Sequence, residues 1–357
     1  MKVLSVVSTR PELIKMAPVM REIEAAGIEH VFISTGQHYD LKLFGGIIAD
    51  LELPALDENY ALASETKAFE INAAVAKIEA TIKKHSPDVV LAEGDTNSIL
   101  ASALAAKNLS VPFGHVEAGL RSFDEKMPEE RNRAATDRIS TWLFAPTETS
   151  RKNLEKEGMI KGVHVVGNSI VDAALQHIEI AKRKSKILAS HQLQTKDYIL
   201  ATLHRQENVD DRKRLASALE SLKAIGEKTG KQVLLPIHPR TKKRASEFGF
   251  SLAGLNIIEP VGYLDFLCLE NNASLILTDS GGLQEEACIL KVPCVTMRDN
   301  TERPETVEAG ANIVAGVEKA SVLRAVEEMM RRRRDWSNPF GDGTTGKKIV
   351  EILKPVS

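Results

Sequence analysis

An alternation limits what this chain can fold into. Short apolar runs rich in β-branched residues are separated by longer stretches with helical periodicity. The first half gives VLSVVS (3–8), HVFIST (30–35), DVVLAEG (88–94), VPFGHV (111–116), WLFAP (142–146) and VHVVG (163–167). The second gives YILAT (198–202), QVLLPI (232–237), LNIIEP (255–260), SLILTD (274–279) and PCVTM (293–297). Between them lie amphipathic patterns such as PVMREIEAAG and SILASALAAKN. Strands that are apolar on both faces and separated by helices build parallel sheets covered on each side. The series breaks near 169–197, where a helical pattern runs into the polar KRKSKILASHQLQTKD. The chain therefore reads as α/β, as two copies of one architecture.

Composition excludes more than it assigns. A formal net charge of −2 and 4% aromatic residues give neither the basic field nor the stacking surface of a nucleic-acid binder. Cys268, Cys288 and Cys294 are odd in number and lack ligand spacing, as in a reducing compartment. No apolar run approaches the ~18 residues of a membrane span. The N-terminal run is too short for a signal peptide, so a soluble cytoplasmic protein is expected.

In open α/β sheets, ligands collect beyond the carboxyl ends of the strands. The residues just after each run therefore carry the functional expectations. TDSGGLQEEA is the sharpest of these motifs. Ser280 can cap a helix, and Gly281 and Gly282 let backbone approach a ligand. The free N–H groups of such a helix start suit an anion such as pyrophosphate. Glu286 lies one turn below Gly282, where a carboxylate can take ribose hydroxyls. The same letters also describe a plain capped helix.

TRPE and TERPE set Arg10 and Arg303 before a helix-starting proline, with guanidinium forks suited to phosphate. One such arginine is more often surface charge; the pair points to function. Lys15 is either a further cation or a solvated lysine. Asp95 and Glu117 end neighbouring strands. Asp95 could instead cap the following helix, whereas Glu117, before Ala118 and Gly119, is badly placed to cap. Glu129 and Glu130 could be first-turn helix acids. His204 and His238 also stand at strand ends, where a lone histidine is more often structural. No grouping has metal-ligand spacing, so no metal is expected. GDGTTG (341–346) follows no strand and reads as a turn.

Taken in order, STRPELIKMAPV, TGQH, GDTNS, GHVEAGLRS, PEERNR, HRQEN, TDSGGLQEEA and MRDNTERPE resemble the motifs of the non-hydrolysing UDP-N-acetylglucosamine 2-epimerases, over nearly the whole chain. The resemblance implies the glycosyltransferase-B architecture, with two Rossmann-like domains facing a central cleft. Residues 1–180 would carry the acid–base carboxylates and 190–340 the UDP site. Residues 341–357 would form a helix returning to the first domain. It implies conversion of UDP-N-acetylglucosamine to UDP-N-acetylmannosamine, without a cofactor, in a homodimer. The family's catalytic positions fall on Asp95, Glu117, Glu130 and His204. Its substrate contacts fall on Arg10, Lys15, Val261, Phe266, Ser280, Gly281, Gly282, Glu286 and Arg303. Some relatives bind a second UDP-N-acetylglucosamine as activator; Gln37, His38, Glu130, Arg205 and His238 stand at those positions. Gln206 replaces an arginine of the family's usual HRRE beside two of them.

That reaction accounts for the carboxylates. The C2 proton of a pyranose adjoins no carbonyl, so enolisation is closed to it. Anti elimination of UDP with loss of that proton gives 2-acetamidoglucal. Re-addition of UDP and a proton from the other face gives the epimer. The route needs donors for the departing pyrophosphate, acid or base on each face of C2, and retention of the glucal. The expected partners are the two UDP-sugars and UDP. A glycosyltransferase of the same architecture, a hydrolysing epimerase and a non-catalytic sensor are the rival readings.

Overall fold

The computed structural model describes residues 1–36, 41–60, 67–124 and 127–354. In chain order the elements are β1 (Lys2–Val7), α1 (Arg10–Ala25), β2 (Glu29–Ser34), α2 (Leu41–Asp50), β3 (Glu58–Asn59), α3 (Lys67–His85), β4 (Val89–Glu93), α4 (Asn97–Asn108), β5 (Phe113–Val116), α5 (Pro128–Ile139), β6 (Trp142–Ala145), α6 (Glu148–Lys156), β7 (Val163–Val165) and α7 (Ser169–Lys184). They continue with α8 (Ile187–Ser190), β8 (Tyr198–Ala201), α9 (Gln206–Val209), α10 (Arg212–Thr229), β9 (Gln232–Pro236), α11 (Pro239–Glu247), β10 (Asn256–Ile258), α12 (Tyr263–Asn272), β11 (Leu275–Thr278), α13 (Gly281–Ile289), β12 (Cys294–Thr296), α14 (Pro304–Glu308), β13 (Asn312–Val314), α15 (Lys319–Arg331) and α16 (Thr345–Leu353).

Two compact units result. One comprises residues 1–176 and 340–357, the other 177–339, so the first division falls inside α7. The first unit's sheet runs β3-β2-β1-β4-β5-β6-β7; the second's runs β10-β9-β8-β11-β12-β13. The pairings are parallel, for example Val3 with His30 and Val89, and Leu275 with Ile199. Each sheet reverses its winding once, between β1 and β4 and between β8 and β11. Crossovers leave in opposite directions at such a point, which opens a crevice at the strand ends.

The apolar runs explain the layers. Val3, Leu4, Val6 and Val7 are all fully buried, so β1 needs helices on both faces. Leu4, Val6, Val31, Ile33 and Val90 pack one side of the first sheet with Ile78, Ile82 and Ile99 of the helices. In the second unit Ile199, Leu235, Leu275 and Val295 meet Leu215, Leu219, Leu222 and Val326 in the same way. The C-terminal helix α16 packs on α1 within the first unit. Its Gly346 lies so close that a Cβ there would stand 2.9 Å from the Pro18 carbonyl. Gly346 N also donates to Asp172 at 3.0 Å.

Two strands lie outside the apolar runs. β3 is a two-residue polar edge paired at Ile33–Glu58 and Ser34–Asn59. β13 begins with Asn312, whose side chain bonds Thr296, Gln284 and Thr306 instead of adding to an apolar run. No helix among the described residues is long and apolar enough to cross a membrane.

Candidate active site

The first unit's carboxylates gather where its sheet reverses. β4 ends in Glu93, and Gly94, with φ of 99°, turns the chain out to Asp95. Glu117 directly follows β5 with φ of 70°. That left-handed conformation costs a non-glycine residue roughly 1–3 kcal/mol and gathers at functional sites. Lys15, on the second turn of α1, places Nζ 3.0 Å from Glu93 Oε1 and in contact with Glu117 Oε2. Both carboxyls are buried, Glu93 at 2% and Glu117 at 6% exposure. Burial pushes the Glu93 carboxyl well above the usual range; the Lys15 ammonium opposes this and the neighbouring Glu117 reinforces it. Glu12 lies behind them on α1. Its Oε2 accepts from the N–H of Ser8 and Thr9 at 2.5 and 3.1 Å, and burial raises its carboxyl too.

Asp95 does not cap α4. The capping position is Thr96, and the Asp95 carboxylate pairs with Arg133 of α5. Arg133 Nη1 also reaches Glu130 Oε2 at 2.8 Å. Glu130 in turn accepts from Ser122 N at 2.9 Å and Phe123 N at 3.1 Å, which holds the turn before α5. A cleft of about 250 Å³ opens here among Ser8, Thr9, Gly36, Asp95, Thr96, Glu129 and Asn132. Gly36 is required for its shape, since a Cβ would sit 2.8 Å from the Ser8 carbonyl. Arg10 is exposed at the start of α1.

One buried network braces both carboxylate-bearing turns. His115 of β5 is fully buried and bonds Asp137 Oδ1 through Nδ1 at 2.6 Å and the Gly94 carbonyl through Nε2 at 2.8 Å. Asp137 also accepts from Gly119 N at 3.2 Å and pairs with Arg121 at 2.7 Å. Burial raises the Asp137 carboxyl, but His115 and Arg121 outweigh it and hold the group below its ordinary value. The turns after β4 and β5 are thus tied to one point.

The second unit presents donors instead of a crowd of acids. α13 begins after Ser280, whose hydroxyl makes no capping bond, so first-turn N–H groups remain for a ligand. Gly281 admits the neighbouring Glu302; a Cβ there would meet its carboxylate at 2.5 Å. Glu302 is held by Arg298 at 2.5 Å and Arg205 at 3.0 Å. Arg303 forms an ion pair with buried Glu285, its Nε 2.8 Å from the carboxylate, and Nη1 donates to the Glu302 carbonyl. Glu286 is buried beside Glu270, whose carboxyl burial pushes well up, with Glu286 adding to the rise.

At the β8 end, His204 bonds Asp279 through Nδ1 at 3.1 Å, and its backbone N–H and that of Arg205 bond the same carboxylate. Burial raises Asp279, but His204 and these N–H groups prevail and lower it. The His238 ring lies 5.6 Å from His204. Its Nδ1 accepts from Arg240 N, and burial followed by the His204 charge lowers its basicity. Val261 precedes α12 and Phe266 lies on it, both partly exposed.

The structure thus brings Lys15 and Glu117 together, and Asp95 with Glu130 through Arg133. In the second unit Ser280, Gly281, Gly282 and Arg303 surround the start of α13, with Arg205 nearby. Gln37 and His38 lie outside the described residues. Sequence reasoning missed Glu93, His115, Asp279 and Glu302. Glu93 and Asp279 had a readable signal, an acid at or directly after the end of an apolar strand. Among the described residues, no three His, Cys, Asp or Glu side chains are grouped as a metal site.

An α/β unit with acids gathered at its switch point, joined to one with an open, arginine-flanked helix start, defines an enzyme class for phosphate-bearing substrates. The chain belongs to the UDP-N-acetylglucosamine 2-epimerase family, whose sequence pattern it matches over residues 21–354. It is 49% identical over 361 residues to the UDP-N-acetylglucosamine 2-epimerase of Methanocaldococcus jannaschii, covering 99% of each chain. It is 38% identical to the UDP-2,3-diacetamido-2,3-dideoxy-D-glucuronate 2-epimerase of Pseudomonas aeruginosa, again over 99% of each. A crystal structure of the M. jannaschii enzyme in complex with UDP-GlcNAc and UDP superimposes with a TM-score of 0.84 at 50% identity, covering 99% of both chains. The two parallel-sheet α/β units are those of the glycosyltransferase-B architecture.

Proposed function

We propose that this chain interconverts UDP-N-acetylglucosamine and UDP-N-acetylmannosamine through anti elimination of UDP to 2-acetamidoglucal and re-addition. The observation that carries the chemistry is Glu117. It is a buried carboxylate in left-handed backbone, touching the Lys15 ammonium at a switch point. A group so placed can exchange a proton with carbon while staying solvent-shielded. The substrate follows from the relatives, one of which was crystallised with UDP-GlcNAc and UDP.

In this reading the first unit supplies the acid–base groups. Asp95, Glu117 and Glu130 are its candidates for the two faces of C2, and His204 is the second unit's acid–base candidate. The second unit holds the nucleotide. The α13 N–H groups behind Ser280, Gly281 and Gly282 take the departing pyrophosphate with Arg303, and Arg10 is the first unit's phosphate candidate. Glu286 takes the ribose, and Lys15, Val261 and Phe266 complete the contacts. Arg205 and His238 would serve a second, activating UDP-sugar.

The test is proton NMR of UDP-N-acetylglucosamine with the protein in D2O. The expected outcome is the 2-epimer, with loss of the C2 proton signal from both sugars. Epimer that keeps its C2 proton would rule out the elimination. A second substrate is favoured by one observation: the P. aeruginosa relative is named for a diacetamido glucuronate. Offering that UDP-sugar in parallel decides between them by the ratio of kcat/KM.

A further inference from the structure

Glu302 has no part in the reaction just described, yet it stands against the helix start assigned to the pyrophosphate. A Cβ on Gly281, the first residue of α13, would meet its Oε1 at 2.5 Å and its Cδ at 3.2 Å. Arginines take both of its oxygens, Arg298 Nη1 on Oε2 at 2.5 Å and Arg205 Nη2 on Oε1 at 3.0 Å. Arg298 is fixed: its side chain is 10% exposed, with Nε on Glu207 at 2.8 Å and Nη2 on Asn300 at 3.3 Å. The loop that carries Glu302 is fixed too, because the Thr301 hydroxyl donates to Gln284 of α13. Burial raises the Glu302 carboxyl, but Arg298 and then Arg205 outweigh it and hold the group below its ordinary value. Glu302 is thus an ionised carboxylate in a set position beside Gly281.

Arg205 is tied to the same place at both ends. Its backbone N–H donates to Asp279, the residue before Ser280, at 2.9 Å. Its guanidinium meets Glu302 through Nη2, and among the described residues Nε and Nη1 have no partner. An arginine side chain in solvent gives up rotamer freedom when it binds an anion. One bond to a fixed carboxylate removes part of that cost beforehand and leaves two nitrogens for phosphate oxygens.

We infer that Glu302 is a positioning residue that holds Arg205 at the start of α13, making Arg205 a further ligand for the pyrophosphate of UDP. The inference rests on the reading in which that helix start takes the pyrophosphate, and it gives Arg205 this role besides the activator site. The carboxylate also has an opposing effect, since it repels a phosphate. The two arginines that it holds offset this repulsion, so the orientation of Arg205 is the larger effect.

The test uses Arg205→Gln, Glu302→Gln and the double substitution. Glu302→Gln keeps the shape: its carbonyl can still accept from buried Arg298 while its amide turns N–H groups toward Arg205. The Arg205–Glu302 pair is partly exposed and adds little to stability, so melting temperatures should stay within about 2 °C of wild type. UDP affinity by calorimetry should fall about tenfold in Arg205→Gln and about fivefold in Glu302→Gln. The double variant should bind within about twofold of Arg205→Gln, because Glu302 acts through Arg205. Losses that multiply in the double variant overturn the inference. So does a folded Glu302→Gln that binds UDP as tightly as wild type or more tightly.

A second readout needs only wild type and Arg205→Gln. In nitrogen NMR of protein isotope-labelled at arginine, the Nε–H signal missing from Arg205→Gln should shift when UDP is added to wild type. A signal that stays in place while UDP binds overturns the inference even if Glu302→Gln folds poorly. If wild type binds no UDP at all, the nucleotide assignment itself is lost. If wild type binds UDP and the variants bind it equally, only the role of Glu302 and Arg205 is lost.

Discussion

The two units bury carboxylates in pairs and neutralise them differently. In the first, Glu93 and Glu117 share the Lys15 ammonium. In the second, Glu270 is fully buried beside Glu286, and among the described residues no Lys, Arg or His pairs with it. A carboxylate balanced by a cation can keep its charge inside the fold and trade a proton. A carboxyl balanced only by its own proton is held neutral and serves to position. On the proposed assignment, the same architecture would separate acid–base work from nucleotide holding through where it puts one lysine.

The largest effect should come from Glu117→Gln. Epimerisation should fall by roughly 10²–10⁴-fold, the range for losing a general acid or base. UDP affinity by calorimetry should stay within about twofold, since most of the nucleotide contacts are assigned to the other unit. Retained turnover would remove Glu117 from the mechanism and break the contrast between the units. Next comes His115→Leu, which takes a partner from fully buried Asp137 and frees the Gly94 carbonyl. Removing one member of a buried ion pair costs about 3–5 kcal/mol. Arg121 remains on Asp137, so the low end is expected in urea denaturation of the first unit. A loss below about 1 kcal/mol would mean that the network does not brace these turns.

The layers of both units were legible because a parallel strand buried on two faces leaves a continuous apolar run. β3 and β13 were not: β3 is two polar residues, and β13 opens on Asn312, whose side chain is taken up by Thr296, Gln284 and Thr306. Strand ends were legible as places, but partners were not. Lys15 and Glu117 are 102 residues apart and Arg133 and Asp95 are 38 apart, separations set by crossovers and by no spacing in the sequence. His115 sits inside the apolar run FGHV and reads as core, which it is, while its ring nitrogens do polar work. Arg303, expected to hold its guanidinium out for phosphate, instead has Nε on Glu285, a contact that the adjacent letters QEEA could not announce.

Acid should separate the units further. The His30 side chain of β2 is largely covered, with Nε2 at 2.9 Å from Ser5 Oγ, and this desolvation lowers its pKa from 6.5 to about 4, with Asp57 opposing. A group with a lowered folded pKa supports stability that is complete above its unfolded value and lost as pH falls through the folded one. The first unit should therefore lose up to roughly 3 kcal/mol between pH 6.5 and 4 from this ring alone. Thermal melts of wild type and His30→Gln across that range check it. The wild-type curve should fall more steeply, and parallel curves would show that the ring titrates freely.

The smallest effect has the opposite sign and belongs to the second unit. Burial raises the Glu270 carboxyl well above 4.5, so the folded state holds a proton that the unfolded chain releases. Stability from such a group is complete below the unfolded value and drains away as pH rises toward the folded one. Glu270→Gln keeps the shape and has no proton to lose. The variant should melt within about 2 °C of wild type near pH 4.5 and above it at pH 8, with the gap widening as pH rises. Its UDP affinity should be unchanged at neutral pH if Glu270 is neutral there, because Glu286 then sees a neutral neighbour in both proteins. A variant that is less stable at pH 8 and binds UDP more weakly would mean that Glu270 is ionised in the fold. A cation would then have to be serving the second unit as Lys15 serves the first, and the contrast between the two would disappear.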